Sequence, residues 1–153
     1  VTKAMGGTTS FDYSVACIGV PTCQIGICES QEALRDTLNY VKENVSNIDL
    51  LPRLYFSGCG NSCGVHEIAE IGFTGKKKRI NDVIEEAYEI HVDGSFVEGE
   101  ARLGKCYGDI ARKDIPMFIC ELANKLNSAN KNFIDYIKNN ESEFKALVEK
   151  YNC

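Results

Sequence analysis

An α+β architecture, a mixed β-sheet with interleaved helices and a helical C-terminal tail, is predicted for this chain of 153 residues. Three observations carry the prediction. Short apolar stretches with period-two alternation recur through residues 11 to 92, helical spacing appears between some of them, and from Asp114 onward only helical spacing remains. A hydrophobic share of 44% at this length suits one domain with a packed core.

Taken in order, Phe11, Tyr13 and Val15 alternate with polar neighbours and predict a strand running into Cys17. Ser30 stands as a helix cap ahead of Leu34, Leu38, Val41 and Val45, which share one helical face. Pro52 opens a second strand over residues 53–57 that ends at a glycine-rich loop. Ile71 and Phe73 mark a third strand. Tyr88, Ile90 and Val92 mark a fourth, whose other side carries Glu89, His91 and Asp93, so His91 is expected to be exposed. Asp114 with Pro116 starts a helix with the stripe Ile115, Phe118, Ile119, Leu122 and Leu126. Phe133, Ile134 and Ile137 predict another helix, and Phe144, Leu147, Val148 and Tyr151 a last one, with Glu141 and Lys145 one turn apart.

A net charge of −5 and the lack of a basic stripe argue against nucleic acid as a partner. No apolar run is long enough for a membrane span. Eight cysteines could make a disulfide framework, but they are clustered and no signal peptide precedes them, which predicts a reducing cytoplasm. The chain opens at Val1 without an initiator methionine, so residues 1–153 are expected to be one domain cut from a longer protein.

The chemistry is concentrated in two cysteine pairs. Cys17 and Cys23 are separated by five residues, and Cys59 and Cys63 lie in Ser57-Gly-Cys-Gly-Asn-Ser-Cys-Gly64. Four thiolates complete the coordination of a cubane iron–sulfur cluster, and the glycines let the backbone turn tightly against an inorganic core. A structural zinc site is the bland alternative. Zinc pairs favour two to four intervening residues, which fits the second pair and not the first. Both pairs follow predicted strands, so if those strands are neighbours the ligands converge.

These residues resemble the sirohaem and [4Fe-4S] domain of the sulfite and nitrite reductases. The likeness extends to the segment from Cys23 to Ser30, to His66-Glu-Ile-Ala-Glu-Ile-Gly-Phe-Thr-Gly75, and to the landmarks at residues 100–104 and 114–116. It covers most of residues 11 to 127. Gly60 stands where the family usually has proline, and Cys28 is an extra thiol. The resemblance implies that Cys17, Cys23, Cys59 and Cys63 hold a [4Fe-4S] cluster and that Cys63 also ligates the sirohaem iron. It implies a redox role in reducing sulfite to sulfide or nitrite to ammonia, within a longer reductase whose other domains complete the sirohaem and anion pocket. No catalytic residue is expected within this chain, and the isolated domain is expected to be inactive. A ferredoxin is the natural electron donor, since no dinucleotide fingerprint is present.

Several further residues have both a chemical and a structural reading. Asn61, between two ligands, is assigned to cofactor binding through hydrogen bonds to cluster sulfur, although Asn and Ser62 also favour plain turns. Lys76, Lys77, Lys78 and Arg79 form the only basic run; a solvated turn after a strand competes with contact to an anionic cofactor or substrate. His66 reads as a structural histidine rather than a proton donor. Cys120 is expected to pack in the core, Cys153 to lie at a frayed end, and Cys28 and Cys106 have no assigned partner. Two other functions remain open: an electron-transfer or interaction module with a [4Fe-4S] cluster and no sirohaem, and a structural zinc domain.

Overall fold

A computed structural model describes residues 7–153. It contains a five-stranded mixed sheet in the order β1-β2-β3-β4-β5, from β1 (Val15–Ala16), β2 (Leu54–Ser57), β3 (Ile71–Ile80), β4 (Val83–Val92) and β5 (Lys105–Ala111). The first three strands run parallel and the last two pairings are antiparallel. Three helices follow the predicted pattern: α1 (Ser30–Asn44), α2 (Ile115–Ala129) and α3 (Phe133–Tyr151).

Strand alternation builds the core. Leu54 and Phe56 stand beside Ile71 and Phe73, which pair with Val92 and Ile90, and Tyr88 pairs with Ile110; all eight are fully buried. Phe56 and Phe73 stack at 4.4 Å, with Tyr88 edge-on to Phe56 at 5.3 Å. Each large apolar side chain buried this way contributes about 1.5–3 kcal/mol. The helices cover this face with Leu34 and Val41 of α1, the whole predicted stripe of α2, and Phe133, Phe144, Leu147 and Val148 of α3.

Several local expectations are corrected. Residues Ser10–Tyr13 form a 3₁₀ turn, held by a capping box in which Thr9 and Asp12 bond reciprocally, so the predicted strand shrinks to Val15–Ala16. Ser30 is the first helical residue of α1, and its hydroxyl turns to Cys17 instead of capping; the Glu86 carboxylate accepts the Glu29 N–H. The two predicted C-terminal helices do form, and they meet within α3 at Asn140, which leaves helical geometry at φ −134° and ψ 36°. Glu141 and Lys145 do pair, at 3.0 Å.

The basic run is strand rather than turn. β3 and β4 form a long hairpin closed by Asn81 and Asp82, both left-handed at φ 48° and 64°, as a two-residue hairpin turn requires. Lys76 pairs with Glu89 and Asp109, Lys77 with Glu86, and Lys78 with Asp109, at 2.9 to 3.2 Å. Neighbouring strands thus take up three of the four charges. Cys153 is not frayed: its N–H donates to Asp109 O and Asn152 bridges Ile110, which adds the chain end to the sheet.

Candidate cofactor-binding site

Parallel pairing of β1 with β2 places both cysteine loops at one end of the sheet. Ala16 is level with Phe56, so Cys17 leaves its strand beside Ser57, two residues before Cys59. Gly58 joins the loops. Its N–H donates to Cys17 Sγ at 3.1 Å, while its carbonyl accepts N–H groups of Ile27 and Cys28 at 3.1 and 2.9 Å. Between these ends the first loop folds on itself: Cys23 N–H donates to Gly19 O at 2.8 Å and Gly26 N–H to Cys23 O at 3.2 Å.

The second loop turns back across β2. Ser62 and Val65 are left-handed at φ 55° and 49°, and Gly64 passes so close that a Cβ there would lie 2.2 Å from Phe56 O. Gly64 N–H donates to Ser57 Oγ at 3.0 Å, and Ser57 Oγ is 2.8 Å from His66 Nδ1. Accepting from Gly64 leaves the serine proton free for the imidazole. His66 is buried, and its ring lies 4.9 Å from that of His91 on β4. Burial, and after it the His91 charge, holds His66 below the ordinary histidine range. His91 is therefore half-buried, not exposed, because residues 64–70 run over this side of the sheet and the His66 carbonyl packs on Gly72.

Cys17, Cys23 and Cys59 are half-buried, Cys63 is exposed, and all four are free thiols. Asn61 is exposed, with its carbonyl 3.9 Å from Cys63 Sγ. Ile18, Val20, Ile25 and Ile27 in the first loop and Val65 after the second are exposed. Among the described residues no three His, Cys, Asp or Glu side chains converge on a single ion position. A tetrahedral zinc needs four sulfurs about 2.3 Å from one point. A cubane takes each thiolate on a different corner iron, so its ligands stand apart around a cage. Two joined loops with four free thiols supply the donor type that a cubane takes, and a zinc would take the same sulfurs.

The remaining thiols stand differently. Cys28 is fully buried, donates to Lys76 O at 3.4 Å, and is pushed by burial to about 11, so it is a core residue beneath the loop. Cys106 is exposed on β5 against Glu89, and Cys120 is half-buried on α2. Sequence reasoning missed Ser57 and gave Ser30 a capping role. The only signal for either was a small hydroxyl residue close to a cysteine.

No family model matches the chain. It is 33% identical over 112 residues to the sulfite reductase [NADPH] hemoprotein beta-component of Methylobacterium sp. (strain 4-46), covering 69% of this chain and 17% of that protein. The Bacillus subtilis (strain 168) protein of the same name is 33% identical over 106 residues, covering 67% and 17%. The ferredoxin–nitrite reductase of Leptolyngbya laminosa is 30% identical over 104 residues, covering 67% and 19%. Among solved structures, the NirA protein of Mycobacterium tuberculosis superposes with a TM-score of 0.76 over 91% of this chain and 27% of that one, at 19% identity, which shows the shared fold. The chain spans less than a fifth of the length of these curated relatives. It belongs to the sulfite and nitrite reductase family.

Proposed function

We propose that this chain is the domain of a sulfite or nitrite reductase that holds a [4Fe-4S] cluster through Cys17, Cys23, Cys59 and Cys63 and shares Cys63 with a sirohaem iron. The observation that carries the reading is Gly58, whose two backbone groups tie the first cysteine loop to the second at the end of β2. When bound, the two groups would supply one-electron relay to an iron that takes an oxyanion. The chain's own residues do the rest. Gly58 N–H orients Cys17 Sγ, and Ser57 and His66 fix the backbone after Cys63. Cys63, the exposed member of the set, is the one open to a second group.

The remaining domains of a longer reductase would complete the pocket for sulfite or nitrite, with a ferredoxin-like protein as electron donor; a relative is named for that donor. Free thiols throughout suit the cytoplasm. None of the described helices is long and apolar enough to cross a membrane. The basic run is not assigned to the anion, because β4 and β5 carboxylates already pair with it. The test is anaerobic reconstitution with iron and sulfide. Four irons and four sulfides per chain, with a broad visible shoulder bleached by dithionite, are expected; one zinc and no labile sulfide refutes the reading. Sharp sirohaem bands in the assembled reductase, lost in Cys63→Ser, separate it from a module that carries a cluster alone. Turnover by the isolated chain would contradict the division of the pocket between domains.

A further inference from the structure

Ser30 is fully buried although polar, and its hydroxyl meets two acceptors on the same residue. Cys17 O lies 2.9 Å away and Cys17 Sγ 3.2 Å away. A hydroxyl has one proton to give. While Cys17 is a thiol, the S–H can donate to Ser30 Oγ and the serine proton can stay on the carbonyl. A thiolate has no proton, so any hydrogen bond along the 3.2 Å contact must then come from Ser30. Gly58 N–H, at 3.1 Å, already donates to the same sulfur.

We infer that Ser30 is a positioning residue that sets the reduction potential of the site by donating its hydroxyl proton to Cys17 Sγ. The inference rests on the cluster reading above. An electron added to the group spreads negative charge onto its thiolate sulfurs, so a donor at sulfur stabilises the reduced state more than the oxidised one. The electron comes from a one-electron reductant, dithionite in the test, and no proton leaves Ser30; its hydrogen bond has already shifted from Cys17 O to Cys17 Sγ when Cys17 gives its thiol proton to solvent on binding the group. Burial sharpens the effect, since no water at this position can replace the donor. Ser30 lies outside both cysteine motifs, at the start of α1.

The experiment is an EPR-monitored dithionite titration of the reconstituted chain, with iron and sulfide counted in every sample. Ser30→Ala should keep the cluster and lower the ratio of reduced to oxidised protein about tenfold at a fixed potential, a fall of about 59 mV for a one-electron couple. Ser30→Thr, which keeps the hydroxyl, should restore the wild-type value. An unchanged potential in a fully loaded Ser30→Ala protein overturns the inference and leaves the cluster reading standing. Wild-type chain that assembles no cluster overturns both. If Ser30→Ala fails to hold iron, the wild type decides: pulsed EPR of the reduced protein assembled and equilibrated in D2O must show two strongly coupled deuterons at the site, one from the Gly58 amide and one from the Ser30 hydroxyl. A single strongly coupled deuteron would overturn the assignment.

Discussion

Replacing Gly64 by alanine tests how the second cysteine loop is held. The added Cβ would lie 2.2 Å from Phe56 O, 2.7 Å from its carbonyl carbon and 3.0 Å from Ser57 Oγ. Ordinary C···O contacts begin at about 3.3 Å, so the loop must lift by about 1 Å from β2. Both atoms nearest the new methyl are backbone of a buried central strand, and neither can rotate away. Overpacking of this kind costs about 1–3 kcal/mol. Lifting the loop also breaks the Gly64 N–H bond to Ser57, worth about 1 kcal/mol. The sum is a loss of about 2–4 kcal/mol in urea unfolding with an unchanged m-value, together with loss of most reconstituted iron. Gly60→Ala is the matched control: the same loop, the same change, and nothing within 4 Å of the new atom. It should stay within about 0.5 kcal/mol of wild type and keep its iron. Equal effects from the two substitutions, or a Gly64→Ala protein as stable as wild type, would refute the close-approach argument.

In the assembled reductase, Cys63→Ser should lower iron content and sirohaem retention together, whereas Cys17→Ser should act on iron first; equal sirohaem loss in both, read by absorbance, contradicts the shared ligand. His66 is neutral-favouring in the fold, so the unfolded chain binds more protons below its ordinary 6.5. Stability from His66 is complete above pH 6.5 and falls as pH drops toward the depressed folded value, by at most about 1.4 kcal/mol per pH unit. The His91 charge adds to this while Glu67 and Glu89 oppose it, and urea midpoints between pH 7.5 and 5 that match in wild type and His66→Gln would disprove it. Cys28 should resist iodoacetamide at pH 8 in the folded protein and react after unfolding, and the exposed Cys106 should react more slowly folded than unfolded because desolvation and the Glu89 carboxylate disfavour its thiolate, both thiols being pushed up to about 11; mass spectrometry of labelled peptides decides. Arg112→Ala removes a guanidinium shared by Glu29, Glu32, Asp36 and Glu86. It should cost about 1–2 kcal/mol at low salt and less at high salt; a salt-independent loss would point to packing instead.

The core was legible because period-two and helical spacing name the same residues that the fold buries. Ile71, Phe73, Tyr88, Ile90 and the α2 stripe lie where those periods put them. What escaped depends on contacts distant in sequence. Alternation placed His91 on the opposite side of the sheet from Ile90, and it is there; the segment that covers it arrives from residues 64–70. Lys76 to Arg79 read as a turn because a basic run favours water, yet the carboxylates that neutralise it come from β4 and β5. Two missed features were local. Thr9 and Asp12 at capping-box spacing announce the 3₁₀ turn, and Asn81-Asp82 is a hairpin signal. At the candidate site, motif and spacing located the thiols, but the roles of Gly58, Ser57 and Ser30 follow only from which strands become neighbours.

The pairing of Asn152 and Cys153 with β5 bears on how the chain behaves at high concentration. A bare strand margin offers a row of free N–H and C=O groups to any extended peptide, and sheets that leave one long and flat tend to stick edge to edge. Here one margin is only two residues long and passes at once into the cysteine loop. The other has its middle occupied by the last residues, with Lys78 bonded to the Cys153 carbonyl as a further tie. Removing those residues would uncover Asp109 and Ile110 on β5 without touching the apolar core, and light scattering of the truncated chain should then rise with concentration while its unfolding midpoint changes little.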